Sequence, residues 1–288
     1  MSAIEKTESI CRDLGITLRR GQRLSNHTAF GLGGEIDAIA YPETREVAAQ
    51  LVARLEEEKI KWSALGTGSH VIAIDKPIHR VAISLKLMEE LLVFNGTSVQ
   101  VHGGYRIARL VTATVERGLV GLEDFATLPG TIGGAIHFDL RVQGRRITSL
   151  LERVAIAMDG RVSEIAGEEI DMHRDALILG CVLRLVEGDT ANLKKTVTHR
   201  LRRQQHKVSA VGPVFRKADG TLPSRLLTGL GLKGMRCGGA AISTWDSNFI
   251  VNESAATYGE LLELIEMVRD RARLQYGAEL ELLLDIWQ

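Results

Sequence analysis

Two glycine-rich segments contain the residue types best suited to hold an anion. They are Ala64-Leu-Gly-Thr-Gly-Ser-His70 and Leu128-Pro-Gly-Thr-Ile-Gly-Gly-Ala135. Glycine lets backbone N–H groups approach an anion because no Cβ is in the way, and serine and threonine add hydroxyl donors. Either segment alone is also typical of a tight turn. Together they indicate a cofactor that carries phosphate groups.

The composition indicates a chain large enough for two or three globular domains. It has 288 residues, of which 45% are hydrophobic, enough to build substantial cores. Lys plus Arg and Asp plus Glu both total 36, and this balance argues against nucleic-acid or membrane partners. Because no apolar run is long enough to span a bilayer and no signal-peptide pattern is present, we expect a cytoplasmic protein. The sequence indicates no metal site, and a protein partner cannot be read from it.

The three cysteines are Cys11, Cys181 and Cys237. Their odd number and wide separation fit neither a zinc site nor a disulfide framework. We expect reduced, mostly buried thiols, and Cys237, which lies among glycines, is the candidate for reactivity.

Hydrophobic periodicity predicts the elements that position the glycine segments. A strand ending at Pro42 precedes an amphipathic helix over residues 44–58. A helix over 107–115, stopped by Gly118, leads into the second segment. Short strands are expected over 62–65, 71–74, 81–85 and 98–101. The first glycine segment therefore connects two strands.

The rest of the chain also alternates strands with helices. Strands over 154–158, 161–165 and 177–185, with Asp159-Gly160 as a hairpin turn, predict a mixed sheet. A charged helix over 193–207 marks a domain boundary. The last helix opens with the capping box Thr257-Tyr-Gly-Glu260 and ends at Gly277. Residues 280–287 then form a predicted closing strand.

The order of further motifs is more specific than either glycine segment. The chain contains, in sequence, Thr28-Ala-Phe30 with Gly33-Gly34, Leu65-Gly-Thr-Gly-Ser69, Gly121-Leu-Glu-Asp-Phe125, Pro129-Gly-Thr-Ile-Gly-Gly-Ala135, Arg174, Val214-Phe215, Gly231-Leu-Lys-Gly234, Gly239-Ala240 and Asn248-Phe-Ile-Val-Asn252. From about residue 24 to the C-terminus, this pattern resembles the UDP-N-acetylenolpyruvoylglucosamine reductase family, flavoenzymes of peptidoglycan precursor synthesis.

The resemblance implies an α+β chain with a vanillyl-alcohol-oxidase-type FAD-binding fold. That fold would comprise two subdomains, residues 1–86 and 87–190, followed by a C-terminal α+β substrate-binding domain, residues 191–288. It also implies FAD as the cofactor, NADPH as the reductant of an active enzyme, and a nucleotide sugar, UDP-N-acetylglucosamine enolpyruvate or a related compound, as the ligand.

The two glycine segments are the FAD-binding residues that the resemblance implies. These residues are Leu65, Gly66, Thr67, Gly68, Ser69, His70, Pro129, Gly130, Thr131, Ile132, Gly133, Gly134 and Ala135. His70 stands where the family usually has Asn. Because imidazole still donates one hydrogen bond, we expect weakened rather than abolished binding.

Two of the three catalytic residues that the family uses are replaced. An Arg and a Glu there stabilise an enolate-like intermediate, and a Ser protonates it. Arg174 stands at the Arg position, although its setting is His173-Arg-Asp-Ala176 instead of Tyr-Arg-x-Ser. Pro213 occupies the Ser position and Leu283 the Glu position. Neither side chain can supply a proton.

The positions around the implied substrate also differ from the family pattern. In the segment His137-Phe-Asp-Leu-Arg-Val-Gln-Gly144, bulky Leu140 and Arg141 replace small residues. They either occlude the substrate face near the flavin or belong to a surface turn whose packing has drifted. His206 replaces the usual Pro, and Asp246 the usual His.

The implied substrate-binding residues are Arg216, Lys217 and Asn252. Arg216 and Lys217, which stand where the family has Lys-Asn, either bind phosphates of NADPH or of the substrate, or form a solvated basic pair.

Three functions remain open from the sequence. The favoured hypothesis is a flavin-binding relative that has lost the enol-protonating groups and is catalytically impaired or repurposed. The second is an active reductase that uses a displaced acid, for which the candidates are His137, His173 and Asp175. The third is a flavin-free protein that binds a nucleotide sugar or acts in regulation, for which Leu140 and Arg141 are the best argument.

Overall fold

The computed structural model describes residues 1–88, 91–203, 209–218 and 222–288. The α-helices are α1 (Ala3–Asp13), α2 (Arg45–Glu57), α3 (Ile107–Glu116), α4 (Ile132–His137), α5 (Thr190–Arg203), α6 (Ser224–Gly229) and α7 (Tyr258–Tyr276). The strands are β1 (Thr17–Arg23), β2 (Glu35–Tyr41), β3 (Trp62–Ala64), β4 (Val71–Ala73), β5 (Ile78–Ile83), β6 (Leu92–Asn95), β7 (Ser98–His102), β8 (Leu119–Val120), β9 (Arg141–Val142), β10 (Arg145–Arg146), β11 (Leu151–Met158), β12 (Arg161–Ala166), β13 (Ile178–Arg184), β14 (Val186–Glu187), β15 (Ala210–Val211), β16 (Phe215–Arg216), β17 (Arg236–Cys237), β18 (Ala240–Ile242), β19 (Ile250–Asn252), β20 (Glu281–Leu282) and β21 (Asp285–Trp287).

The chain divides into two compact units. Unit 1 comprises Met1–Arg20, Asp37–Gly66 and Arg80–Gln205, and unit 2 comprises Gly21–Ile36, Thr67–His79 and His206–Gln288. The three-domain boundaries drawn from the sequence stay a prediction.

Unit 1 contains a five-stranded sheet in the order β12-β11-β13-β7-β6. Every neighbouring pair in it is antiparallel, so the predicted mixed sheet is wrong here. Strand direction depends on how the connections return to the sheet, which hydrophobic periodicity does not report. The predicted hairpin turn is confirmed, because Asp159 and Gly160 both have positive φ, 50° and 70°.

Helix α2 packs against β11 and β12 of the five-stranded sheet, and it confirms the predicted amphipathic helix. Thr44 caps its first turn by accepting from the Val47 N–H at 3.2 Å. Its apolar stripe, Ala48, Leu51, Val52 and Leu55, is buried. The stripe packs in one cluster with strand residues such as Ile83 and Leu179.

The second glycine segment is only partly a loop, and this corrects the sequence prediction. Helix α4 begins at Ile132, and Thr131 caps it by accepting from the Gly134 N–H at 3.3 Å. Glycine has a low helix propensity. Within unit 1, the Thr131 cap and the packing of Gly133 on Gly103 stabilise the helix despite this. Helix α3, which precedes the segment, is confirmed and is followed by Gly118 at φ 70°.

Unit 2 contains a four-stranded sheet in the order β15-β19-β18-β17, and α7 packs on β17 and β18. The predicted capping box of α7 is confirmed, since Thr257 and Glu260 satisfy each other's backbone N–H groups. Gly277 ends the helix in the left-handed conformation, with φ 59°. The buried face of α7, which includes Leu261, Leu264 and Val268, belongs to the core of this unit.

Two predicted C-terminal elements differ from the structure. Residues 280–287 form two short strands instead of one: β20 pairs with β16 in antiparallel fashion, and β21 pairs with β4 in parallel. The charged helix begins at Thr190 and is described as far as Arg203. Residues 204–207, including His206, lie outside the described residues.

Candidate functional site

Gly68, in the first glycine segment, occupies a position that only glycine fits. Its φ is +66°, and a Cβ there would lie 2.3 Å from the His27 carbonyl oxygen and 2.6 Å from the Thr28 Cα. The Ala29 N–H also donates to the Gly68 carbonyl oxygen at 3.0 Å. In unit 2, the backbone of this segment therefore packs directly against the motif that begins at Thr28.

Unsatisfied donors collect in the first glycine segment. The Thr67 hydroxyl is buried and makes no hydrogen bond to any described residue. Within the described part of the chain, the N–H groups of Gly66, Thr67 and Gly68 also find no backbone acceptor. A buried hydroxyl without a partner costs about 1–3 kcal/mol. These donors fit a bound group rich in oxygen acceptors, such as a phosphate.

Ser69 and His70 complete the segment and are both buried. The Ser69 hydroxyl lies 3.2 Å from His70 Nδ1. The His70 carbonyl oxygen accepts from the Asp285 N–H at 2.8 Å. In unit 2, His70 is thus fixed at the start of the β4–β21 pair.

The two glycine segments approach each other at Gly66 and Thr131, both in unit 1. A Cβ on Gly66 would lie 2.9 Å from Thr131 Oγ1. The Gly133 N–H donates to the Gly103 carbonyl oxygen at 2.8 Å, and a Cβ on Gly133 would lie 2.9 Å from that same oxygen. Glycine is needed at 66 and 133 because backbone and cap residues occupy the space of a side chain.

The other predicted residues of the second segment anchor it. The Gly130 carbonyl oxygen accepts from the Ile107 N–H at 3.1 Å, which ties the segment to the start of α3. Ile132 and Ala135 are buried, whereas Gly134 is half-buried, and a Cβ on it would meet only Thr131 Oγ1, at 3.5 Å. The open side of α4 is therefore at Gly134.

The guanidinium of Arg174 is engaged by carboxylates. Its Nε and Nη2 both donate to Asp171 Oδ1, the former at 3.1 Å. This hydrogen bond is the main reason why the pKa of Asp171 lies below its usual value. Asp139 Oδ2 lies 3.7 Å from Arg174 Nη2. The Arg174 carbonyl oxygen is 2.7 Å from His137 Nδ1.

Pro213 and Leu283, at the positions where the resemblance implies a catalytic Ser and Glu, lie close together in unit 2. The Leu283 N–H donates to the carbonyl oxygen of Val214, the residue after Pro213, at 2.7 Å. Both Pro213 and Leu283 are buried. Asn248 fixes this strand, because its Oδ1 accepts from the Val214 and Phe215 N–H groups at 3.2 and 2.8 Å and its Nδ2 donates to the Phe215 carbonyl.

The three predicted substrate-binding residues differ in exposure and in their partners. Arg216 forms an ion pair with Glu281 at 2.9 Å, while Lys217 is exposed. The Asn252 amide donates to the Phe30 carbonyl oxygen at 3.0 Å and accepts from the Ala256 N–H at 2.9 Å. Asn252 therefore also holds the backbone of unit 2 together.

Leu140, which the sequence analysis names, is only 2% exposed. Sequence reasoning missed two other residues of this region. Asp139 was not singled out, although its carboxylate meets two arginines. Gly103 was missed as the packing partner of Gly133. An Asp between two apolar residues gives no signal of ion pairing, and a Gly-Gly pair after a strand was the only available hint for Gly103.

Thiols and possible metal ligands add no reactive centre among the described residues. All three cysteines are free, and burial raises the pKa of Cys11 to about 11 and that of Cys181 to about 12. Partly buried Cys237 also has a raised pKa, first through desolvation and then through Glu263. Within residues 1–88, 91–203, 209–218 and 222–288, no three His, Cys, Asp or Glu side chains cluster as metal ligands.

Both parts of the chain are similar to known protein domains. Residues 36–152 match an FAD binding domain, and residues 204–287 match the C-terminal domain of UDP-N-acetylenolpyruvoylglucosamine reductase. The reductase of Bacillus velezensis is 30% identical over 289 aligned positions, which cover 96% of this chain and 95% of that protein. The chain belongs to the UDP-N-acetylenolpyruvoylglucosamine reductase family.

Other members of the reductase family agree with this. The Bacillus subtilis reductase is 29% identical and covers 96% of this chain and 95% of its own length. The crystal structure of the reductase from Thermus caldophilus superimposes with a TM-score of 0.75 at 26% identity, covering 95% of this chain and 100% of that one. The predicted fold class, an FAD-binding fold with a C-terminal domain, is confirmed. No helix in the described part of the chain has the length and apolarity to cross a membrane.

Proposed function

We propose that this protein binds FAD and a nucleotide sugar but is impaired in reducing an enolpyruvyl group. The observation that carries the proposal is the pair of adjacent, buried, apolar residues at the two replaced positions, Pro213 and Leu283. A reductase of this family needs a proton donor and a carboxylate there. Neither side chain provides one.

FAD binding is supported by the two glycine segments. Thr67 offers a buried hydroxyl without a partner among the described residues, and the glycines at 66, 68 and 133 leave no room for side chains. We infer that Gly66 to Ser69 bind the pyrophosphate and that the segment from Pro129 to Ala135 runs beside the flavin. When bound, FAD accepts a hydride from NADPH and can pass it to a carbon–carbon double bond.

We infer that this chain lacks the groups that protonate the intermediate. Losing a positioned acid costs about two to four decades in rate. Pro213 has neither a hydroxyl nor an N–H group, and Leu283 is 4% exposed in an apolar setting. The positive charge of Arg174 is also already paired with carboxylates, so less of it is available to an anionic intermediate.

The ligand that we propose is UDP-N-acetylglucosamine enolpyruvate or a close relative. Family membership supports this class of compound. Lys217 is the predicted binding residue with an exposed side chain, and a lysine ammonium suits a phosphate oxygen. Arg216 must exchange its Glu281 partner to bind phosphate.

An active reductase with a displaced acid is the second candidate. The position of His137 favours it, since this half-buried imidazole is held by the Arg174 carbonyl through Nδ1. Because a carbonyl oxygen only accepts, Nδ1 donates to it, and the contact fixes the ring with Nε2 as the nitrogen left to meet a ligand.

The deciding experiment is a visible absorption spectrum of the purified protein reconstituted with FAD. It is recorded anaerobically, first with NADPH and then with the enolpyruvyl nucleotide sugar. We expect a flavin band that NADPH bleaches and that the sugar restores slowly or not at all. Rapid restoration within the turnover time of an ordinary reductase would establish the second candidate. Absence of a band after addition of FAD would refute flavin binding.

A further inference from the structure

Two arginines of unit 1 converge on one carboxylate. Arg146 Nε and Nη2 lie 2.8 and 2.7 Å from Asp139 Oδ2, and Arg174 Nη2 lies 3.7 Å from the same oxygen. The other oxygen, Oδ1, accepts from the Thr148 hydroxyl at 2.6 Å. This arrangement of two guanidinium groups and a hydroxyl is how proteins commonly bind a small oxyanion.

The Asp139 side chain is the inner member of this group. It is 10% exposed, compared with 38% for Arg146 and 24% for Arg174. Asp171, the remaining acid that faces both arginines, is 57% exposed. Exposed pairs contribute little, so Asp139 is the main carboxylate for Arg146, whereas Arg174 is hydrogen-bonded to the exposed Asp171 and has Asp139 as its buried neighbour.

The backbone that presents Asp139 is held independently of the carboxylate. The Asp139 N–H donates to the Ile136 carbonyl oxygen, and the neighbouring Leu140 is fixed on both sides, to Ala135 and to Ile147. Asp139 has a φ of 45°, a conformation that Asp, Asn and Gly tolerate best. The surrounding groups are therefore expected to stay in place when the side chain is removed.

We propose that Arg146, Arg174 and Thr148 form an oxyanion-binding site that the protein fills with its own Asp139 carboxylate. The site suits a small carboxylate, with one oxygen at the hydroxyl and the other between the guanidinium groups. As long as the Asp139 carboxylate occupies this site, an external anion has no access to Arg146, Arg174 or Thr148. This site needs neither flavin nor nucleotide sugar, so its test is independent of the proposed function.

The test removes the built-in carboxylate and supplies a free one. In the Asp139→Gly variant of the full chain, glycine tolerates the positive φ and leaves a carboxylate-sized space. The matched control is Asp139→Asn, which keeps the shape and fills the space. Thermal unfolding is followed by circular dichroism in sodium formate or in sodium chloride at equal ionic strength.

We expect formate to raise the unfolding midpoint of Asp139→Gly saturably, by about 3 °C over chloride. Wild type and Asp139→Asn should shift by less than about 1 °C. The double variant Asp139→Gly with Arg146→Met should lose the response. An equal shift in all variants, or none in Asp139→Gly, would overturn the proposal. If Asp139→Gly is unfolded in chloride, folding restored by formate supports the site, and failure of formate to restore it refutes the site.

Discussion

The N–H of Leu283 donates to the carbonyl oxygen of Val214 at 2.7 Å. This bond continues the pairing of β16 with β20, in which Phe215 faces Leu282. It brings the position before Val214, Pro213, beside the C-terminal strand. Pro213 and Leu283 thus lie close together, and both are buried.

Restoring both groups should restore turnover. In the double variant Pro213→Ser with Leu283→Glu, NADPH oxidation in the presence of the enolpyruvyl nucleotide sugar should rise at least about tenfold. The unfolding midpoint should fall, because Leu283 is 4% exposed and a buried carboxylate is costly. The control pairs Pro213→Ser with Leu283→Gln, which has similar size but no acid. Equal rates in the two double variants would contradict a catalytic role for the carboxylate.

Gly68 should not accept a side chain. In Gly68→Ala the new Cβ would meet backbone atoms at 2.3 and 2.6 Å, so we expect a loss of about 3 kcal/mol or more in the free energy of unfolding. Gly96→Ala is the control, since Gly96 has a similar φ of 58° but open space around it. That variant should cost only about 1 kcal/mol. Urea unfolding measures both, and similar losses would show that the conformation matters rather than the close approach.

Thr67 and Thr28 should respond in opposite ways to loss of their hydroxyl groups. Thr28→Val removes a buried hydroxyl that donates to the Leu32 carbonyl oxygen at 2.8 Å, so the FAD-free protein should lose about 1–3 kcal/mol. Thr67→Val removes a hydroxyl without a described partner and should leave that stability unchanged or improved. FAD affinity, measured by flavin fluorescence, should fall about tenfold in Thr67→Val. Unchanged affinity would exclude Thr67 from the cofactor site.

Alkaline pH should destabilise the protein through its buried thiols. Burial raises the pKa of Cys181 to about 12, whereas an unfolded thiol has a pKa of about 8.5. Above that value the unfolded chain loses its proton first, so the free energy of unfolding falls as pH rises, by up to about 1.4 kcal/mol per pH unit for one thiol. The difference between wild type and Cys181→Ala should therefore shrink between pH 8 and pH 11 in urea titrations.

Cys237→Ala provides the comparison for this pH dependence, because Cys237 is only partly buried. Its difference from wild type should change less over the same pH range. A pH-independent difference for Cys181→Ala would show that the thiol is not protected from ionisation in the folded protein.

Local patterns in the sequence determined much of this protein. The capping box at Thr257 and Glu260, the left-handed stop at Gly277 and the hairpin turn at Asp159 each depend on contacts between residues a few positions apart. The ordered motifs were specific enough to indicate the family and its FAD-binding fold. The prediction that no acid stands at positions 213 and 283 also came from residue types alone.

Only the tertiary structure decided which strands pair and which side chains distant in sequence are neighbours. It pairs the two ends of residues 280–287 with different strands, makes the five-stranded sheet antiparallel, and places Asp139 between Arg146 and Arg174. It also turns part of the second glycine segment into α4, because the Thr131 cap and the Gly103 contact outweigh a low helix propensity. These outcomes depend on packing and charge pairing between segments distant in sequence, whereas caps and turns are set by immediate neighbours.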